Sequence, residues 1–152
     1  MRIALYQPEI AGNVGAVMRV CACWNLPLEL IGPLGFAAGD KQLKRAAMDY
    51  GVMTEVTRHA DWDAFLAAHG HRRLVLATKF APRLLHDVVF DSDDVLLFGR
   101  ESAGVPDSVV NRADLALRIP MREGPRSLNL AVSVAVTVGE ALRQTGAFAE
   151  MS

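Results

Sequence analysis

Leu96-Leu97-Phe98-Gly99-Arg100-Glu101-Ser102-Ala103-Gly104-Val105-Pro106 runs from an apolar strand straight into a loop of Gly, Arg, Ser and Pro, with a short helix expected over 107–110. A second stretch follows the same plan: Ile119-Pro120-Met121-Arg122-Glu123-Gly124-Pro125-Arg126-Ser127-Leu128-Asn129-Leu130. Such loops at the ends of buried strands are where open α/β sheets hold their ligands, because main-chain N–H and C=O groups are left unpaired there. Two of them in close succession point to one composite pocket.

Further out, apolar runs predict strands over 2–6, 28–31, 52–56, 74–78, 95–98 and 115–119. Helical spacing fills the gaps. Asn13 is placed to cap a helix through Val14, Val17, Met18, Cys21 and Ala22, and Asp61 to cap another over 61–68. A helix over 40–48 carries Lys41, Lys44 and Arg45 on its polar side. Residues 128–138 are apolar and β-branched, which locally favours strand. They nevertheless continue into Glu140-Ala141-Leu142-Arg143-Gln144 and stop near Gly146, so the segment reads as a buried C-terminal helix starting near Ser127. A helix apolar all round needs cover on every side, and a homodimer interface is a natural second surface. The alternation implies an α/β fold, a mostly parallel sheet covered by helices on both faces, in one domain over 1–152.

The net charge of −1 excludes a general basic field, so a nucleic acid would have to be held by a local patch. No apolar run has membrane-spanning length and the first residues read as a strand, so neither signal peptide nor membrane helix is expected and the address is cytoplasmic. Cys21 and Cys23, two apart on a helix, are expected as buried reduced thiols. His59, His69, His71 and His86 show no zinc-ligand spacing, His69 and His71 reading as loop residues, and no metal is expected. Common enzyme signatures fail. Gly35 to Lys41 lacks P-loop spacing and its hydroxyl, Gly12-Asn13-Val14-Gly15 lacks the dinucleotide-binding glycines, and Gly99 to Gly104 has one residue too many for a nucleophile elbow. What remains is a pocket of main chain, apolar side chains and a few arginines, suited to an uncharged ring with an aliphatic chain.

At these residues the chain resembles the SpoU–TrmD (SPOUT) class of RNA methyltransferases, and within it the small single-domain enzymes that methylate the 2′-hydroxyl of the tRNA wobble nucleotide. The blocks carrying the resemblance run in order along nearly the whole chain: Leu5-Tyr6-Gln7-Pro8-Glu9-Ile10, Asn13-x-Gly15-x-x-x-Arg19, Pro33-Leu34-Gly35-Phe36, Asp40-Lys41-x-Leu43-x-Arg45-Ala46, Asp49-Tyr50, the two loops, and Glu140-Ala141-x-Arg143-Gln144. The resemblance implies a deep C-terminal trefoil knot, S-adenosylmethionine bound in the knot loops, a tRNA substrate and a homodimer. By position it implies cofactor contacts from Leu76, Gly99, Ile119, Met121, Ser127 and Leu128. It implies a catalytic role for Arg19, and RNA or loop positioning by Asn13, Arg126 and Asn129. Asn129 has a second reading, satisfying backbone at the helix start. Lys41, Lys44, Arg45, Arg72, Arg73, Arg100 and Arg122 are candidate phosphate contacts.

The sequence departs from the family pattern in places. Arg100 stands where Pro is usual, Ala103 where Arg is, Pro125 where Ser is, Ala131-Val132 where Ser-Asn is, Gly139 where Tyr is, and Ala16 where Asn is common. The polar losses near the Pro125 loop leave open a non-catalytic RNA-binding module of the same fold, and a 2′-O-methyltransferase for another RNA site is a further alternative.

Overall fold

A computed structural model describes residues 1–37, 39–124 and 127–151. Arg126, an expected RNA-positioning residue, and Pro125 lie outside the described residues.

The chain alternates strand and helix: β1 (Arg2–Tyr6), α1 (Ala11–Trp24), β2 (Leu28–Ile31), α2 (Lys41–Tyr50), β3 (Val56–His59), α3 (Trp62–His69), β4 (Leu74–Ala77), β5 (Arg83–Leu84), β6 (Val95–Phe98), α4 (Asp107–Arg112), β7 (Leu115–Arg118) and α5 (Leu130–Gln144), with 3-10 turns at Leu85–Asp87 and Ala147–Glu150. The strands form one parallel sheet of seven, ordered β3-β2-β1-β6-β4-β7-β5. Strand alternation sorts the core into two layers. Ile3, Leu5, Leu28, Leu30, Val75, Leu96, Phe98 and Leu117 face α1, α2 and α5. Ala4, Tyr6, Ile31, Leu74, Leu76, Val95 and Leu97 face α3 and α4. Burying each Leu or Val contributes about 1.5–3 kcal/mol, which explains why strands apolar on both faces are so legible in sequence.

Several expectations are corrected. β3 is Val56–His59, not 52–56, and Val52 is exposed in the preceding turn. Its polar side chains hide it from a hydrophobicity reading. His59 is drawn in by the Glu29 carboxylate of β2, Nε2 to Oε2 at 2.7 Å. α1 begins at Ala11, so Asn13 lies inside its first turn and does not cap it. α5 begins at Leu130, because Asn129 Oδ1 accepts from the N–H groups of Ala131 at 2.9 Å and Val132 at 3.4 Å. Cys21 is buried, its thiol pushed up to about 12 by desolvation, whereas Cys23 is exposed.

The glycine of Asn13-x-Gly15 is a packing residue. A Cβ there would stand 2.9 Å from the Ala46 side chain, so its absence lets α2 close onto α1. That places exposed Lys41, Lys44 and Arg45 beside α1. The closing block Glu140-Ala141-x-Arg143-Gln144 is also structural. Gln144 Nε2 donates to Val88 O at 3.0 Å while its Oε1 accepts from Phe90 N–H at 3.1 Å, tying α5 to the segment before β6. Arg143 donates twice to Glu140, each at 2.8 Å, holding that carboxyl down at about 2.

His69 is not a solvated loop residue. It sits in the last turn of α3, with Nε2 3.3 Å from Glu29 Oε1, and with His59 it brings three donor atoms within 4.8 Å of one another. Arg2 Nη1 already stands 2.7 Å from the same Oε1, so the buried carboxylate has its counter-charge from the protein. Desolvation lowers the His69 pKa below its ordinary value near 6.5, with Glu29 opposing. The unfolded chain therefore takes up this proton more readily than the folded one as pH falls through that value. Stability is expected to decline on the acid side of about pH 6.5, and His69→Gln to flatten that part of the profile. Urea midpoints from pH 5 to 8 check it; identical slopes in parent and variant would remove His69 from the account.

Candidate active site

The strand order reverses between β1 and β6, the place where parallel sheets open a crevice beyond their C-terminal ends. A cleft of about 510 Å³ lies there, bounded by the start of α1, the loops after β4, β6 and β7, and the start of α5. Asn13, Gly99, Arg100, Ile119, Met121, Ser127, Leu128 and Asn129 all line it, so most of the residues singled out in sequence are brought together.

Others are not. Leu76 is fully buried, pointing into the α3/α4 layer, and it is the next residue, Ala77, that lines the cleft. Lys41 and Arg45 lie on α2 outside the lining. Arg19 is exposed on α1, its guanidinium 4.8 Å from the Tyr50 ring centroid, and it too is absent from the lining. Arg73 is committed to Asp94 through two contacts of 2.7 Å, and Arg72 pairs with Asp93, so neither is a free phosphate ligand.

The loop after β6 is folded tightly on itself. Arg100 and Gly104 exchange two backbone hydrogen bonds, each 2.9 Å, and Gly104 sits at φ +62°. A Cβ on Gly99 would stand 2.6 Å from the Gly104 carbonyl carbon. Gly99 is therefore required by the loop itself, before any ligand approaches. The Arg100 side chain turns back along the same loop, Nε to Gly104 O at 3.4 Å.

Glu101 and Glu9 were not singled out in sequence, and they are what joins the loops. No side chain near Ile10 caps α1. Glu101, in the loop after β6, instead holds the segment that leads into it, its carboxylate accepting from Glu9 N–H at 2.9 Å, Ile10 N–H at 3.2 Å and Asn13 Nδ2 at 3.1 Å. The Glu9 carboxylate returns the contact, accepting from Ser102 N–H at 2.8 Å and Oγ at 2.6 Å, which lowers its pKa below the ordinary carboxylate value. Asn13 Oδ1 then accepts from Asn129 Nδ2 at 2.9 Å. A strap thus runs from the loop after β6 through α1 to the first turn of α5. Partners so distant in sequence leave no local signal. Glu101→Ala strands two backbone N–H groups and is expected to cost about 1–3 kcal/mol in urea unfolding, with Glu101→Gln recovering part. An unchanged midpoint would mean water replaces the carboxylate.

Among the described residues, no His or Cys lines the cleft, and its one carboxylate is engaged in the strap. The site is built to bind and orient, with main-chain groups over an apolar floor. It offers no conventional nucleophile–base pair.

Comparison with known proteins agrees with this geometry. A solved structure on the 2-OH methylation of C/U34 on tRNA superposes with a TM-score of 0.89 at 42% identity, covering 94% of each chain. The AdoMet-bound rRNA methyltransferase of Sinorhizobium meliloti superposes with a TM-score of 0.84 at 25% identity, covering 93% of this chain and 55% of that one. In sequence, the tRNA (cytidine(34)-2'-O)-methyltransferase of Ancylobacter novellus is 48% identical over 152 residues, 98% of this chain and 96% of its own. The Escherichia coli K12 protein of the same name is 45% identical, covering 96% and 94%. The sequence profile described as the SpoU rRNA Methylase family matches residues 1–139, and the chain belongs to that family.

Proposed function

We propose that this chain is an S-adenosylmethionine-dependent tRNA 2′-O-methyltransferase acting on the wobble nucleotide, position 34. The observation that carries this is the near full-length match, at 45–48% identity, to relatives named for that reaction. The cleft suits the cofactor. Its volume lies in the usual range for small-molecule sites, with Ile119, Met121 and Leu128 as apolar surface for an adenine and Gly99 and Ser127 offering polar main chain and a hydroxyl. When bound, S-adenosylmethionine supplies a methyl group already activated on a sulfonium, which explains how a site without a nucleophile can serve. No metal is needed for that transfer.

The protein's part is to bring a ribose 2′-hydroxyl into line and to accommodate the charge that develops on its oxygen. Arg19 performs the second task. A guanidinium stays protonated and cannot be the base, so it orients the neighbouring phosphate and stabilises alkoxide character while the proton leaves to water or a phosphate oxygen. Asn13, Asn129 and Arg126 position the RNA or the loops that meet it. Arg100, Lys41 and Arg45 hold phosphates. The working form is a cytoplasmic homodimer. Exposed Val132 and Val136 on α5 leave apolar surface that a second copy would cover, and no helix among the described residues is long and apolar enough to cross a membrane. What supports a trefoil knot is the sheet order. β7 is paired between β4 and β5, both of which precede it in the chain, an order that a threaded C-terminal segment would have.

Nucleoside mass spectrometry of unmodified tRNA and ribosomal RNA, each incubated with the protein and S-adenosylmethionine, tests the reading. A 2′-O-methylated nucleoside at the first anticodon position is expected. Methylation only of ribosomal RNA would replace the substrate, and cofactor binding without methylation of either would leave a non-catalytic RNA-binding module.

A further inference from the structure

Phe80 has no place in the core or in the methyl-transfer chemistry described above. It is the most exposed aromatic residue among the described residues, at 83%, and it stands at the lip of the cleft. A fixed turn holds it there. Thr78 N–H donates to Leu117 O at 2.9 Å, Thr78 Oγ1 accepts from Phe80 N–H at 3.5 Å, and Thr78 O accepts from Ala81 N–H at 3.2 Å. Ala81 is buried and Pro82 follows, so the backbone is anchored on both sides of the exposed ring. The Lys79 ammonium lies 5.0 Å from the ring centroid, and exposed Arg83 is three residues on. Among the described residues neither cation has an acidic group within 4.0 Å.

We propose that Phe80 is a stacking platform for an RNA base at or next to the methylated ribose, with Lys79 on the adjoining phosphate. This rests on the methyltransferase reading above. A nucleobase fits better than an apolar protein partner because cations stand on both sides of the ring in the chain, Lys79 before it and Arg83 after it, and Lys79 lies over the ring itself. A flat ring between unpaired cations complements a chain that carries a π face and a negative charge on every unit. The ring is also far more exposed than the expected cofactor contacts Met121 and Leu128 that share the cleft, at 37% and 39%.

The experiment uses tRNA anticodon stem-loops carrying the fluorescent base 2-aminopurine at each anticodon position in turn, with the parent, Phe80→Ala, Phe80→Leu and Phe80→Trp. Binding to the parent is expected to quench one position by stacking, Ala and Leu to abolish that quenching, and Trp to restore it. In steady state, Phe80→Ala should raise KM for tRNA about tenfold, with kcat and cofactor affinity each changed by less than about twofold. An unchanged KM and quenching would overturn the proposal. So would a loss confined to cofactor affinity, meaning that the ring covers S-adenosylmethionine, or dissociation of the dimer, meaning that it packs against a second copy. Failure of the parent to methylate position 34 while Phe80-dependent quenching persists would count against the functional reading and leave the platform standing.

Discussion

Arg19→Ala is expected to lower the methyl-transfer rate by about a hundredfold or more while cofactor affinity stays within about twofold, because the role proposed for it is charge stabilisation at the oxygen and it lines no part of the cleft. The geometry makes this prediction more specific. Arg19 is six residues beyond Asn13 on α1, so it lies about 9 Å further along the axis and roughly 120° round from the side chain that reaches the cleft. Its guanidinium is exposed over the Tyr50 ring and lines no part of its own chain's cleft. In a homodimer the arginine can then serve the partner's cleft. Mixing Arg19→Ala with a chain whose cleft is filled by Ser127→Trp separates the arrangements. Each variant alone is inactive. If Arg19 acts across the interface, the mixed dimers carry one complete site and about a quarter of the parent activity returns. If it acts within one chain, no activity returns. An Arg19→Ala protein that turns over like the parent would reduce this residue to a surface charge.

The strands of the sheet centre were legible because a parallel sheet covered on both faces demands continuous apolar runs, and Arg2–Tyr6, Leu74–Ala77 and Val95–Phe98 supply them. β3 was misplaced because what seats it is polar: Thr57, Arg58 and His59 pair with β2 at an edge, with His59 on buried Glu29. Two residues of β5 are too few to show any period. The α5 helix was recoverable despite its β-branched composition, since its length and its ending outweighed local propensity, and Asn129 fixed its true start. At the site, the loops announced themselves through Gly, Pro and Arg at strand ends. The Leu76 side chain faces the α3/α4 core and its neighbour Ala77 lines the cleft, because alternate residues of a strand face opposite layers, a sorting that a family position alone does not reveal. The strap through Glu101, Glu9, Asn13 and Asn129 was not legible at all, since hydrogen bonds between residues about ninety apart impose no pattern on either segment.

Replacing Val132 and Val136 together by Glu is expected to yield a folded, inactive monomer. Both side chains are exposed in the single chain, at 47% and 41%, so the substitutions cost the isolated fold little. They lie four residues apart on α5 and share one face of the helix. If that face packs on a second copy, four carboxylates enter an apolar contact without partners, and each such desolvation costs several kcal/mol, more than an interface of ordinary strength can absorb. Light scattering should report the monomer, circular dichroism should show the parent's helical signal, and methyl transfer should fall as far as in Arg19→Ala. The agreement of those two losses is the informative part. Monomerisation removes the partner's arginine without touching the chain's own, so equal defects place the chemistry at the interface. A monomer that retains parental activity would instead mean that each chain is sufficient alone, and a variant that stays dimeric and active would mean that the stripe on α5 is ordinary surface.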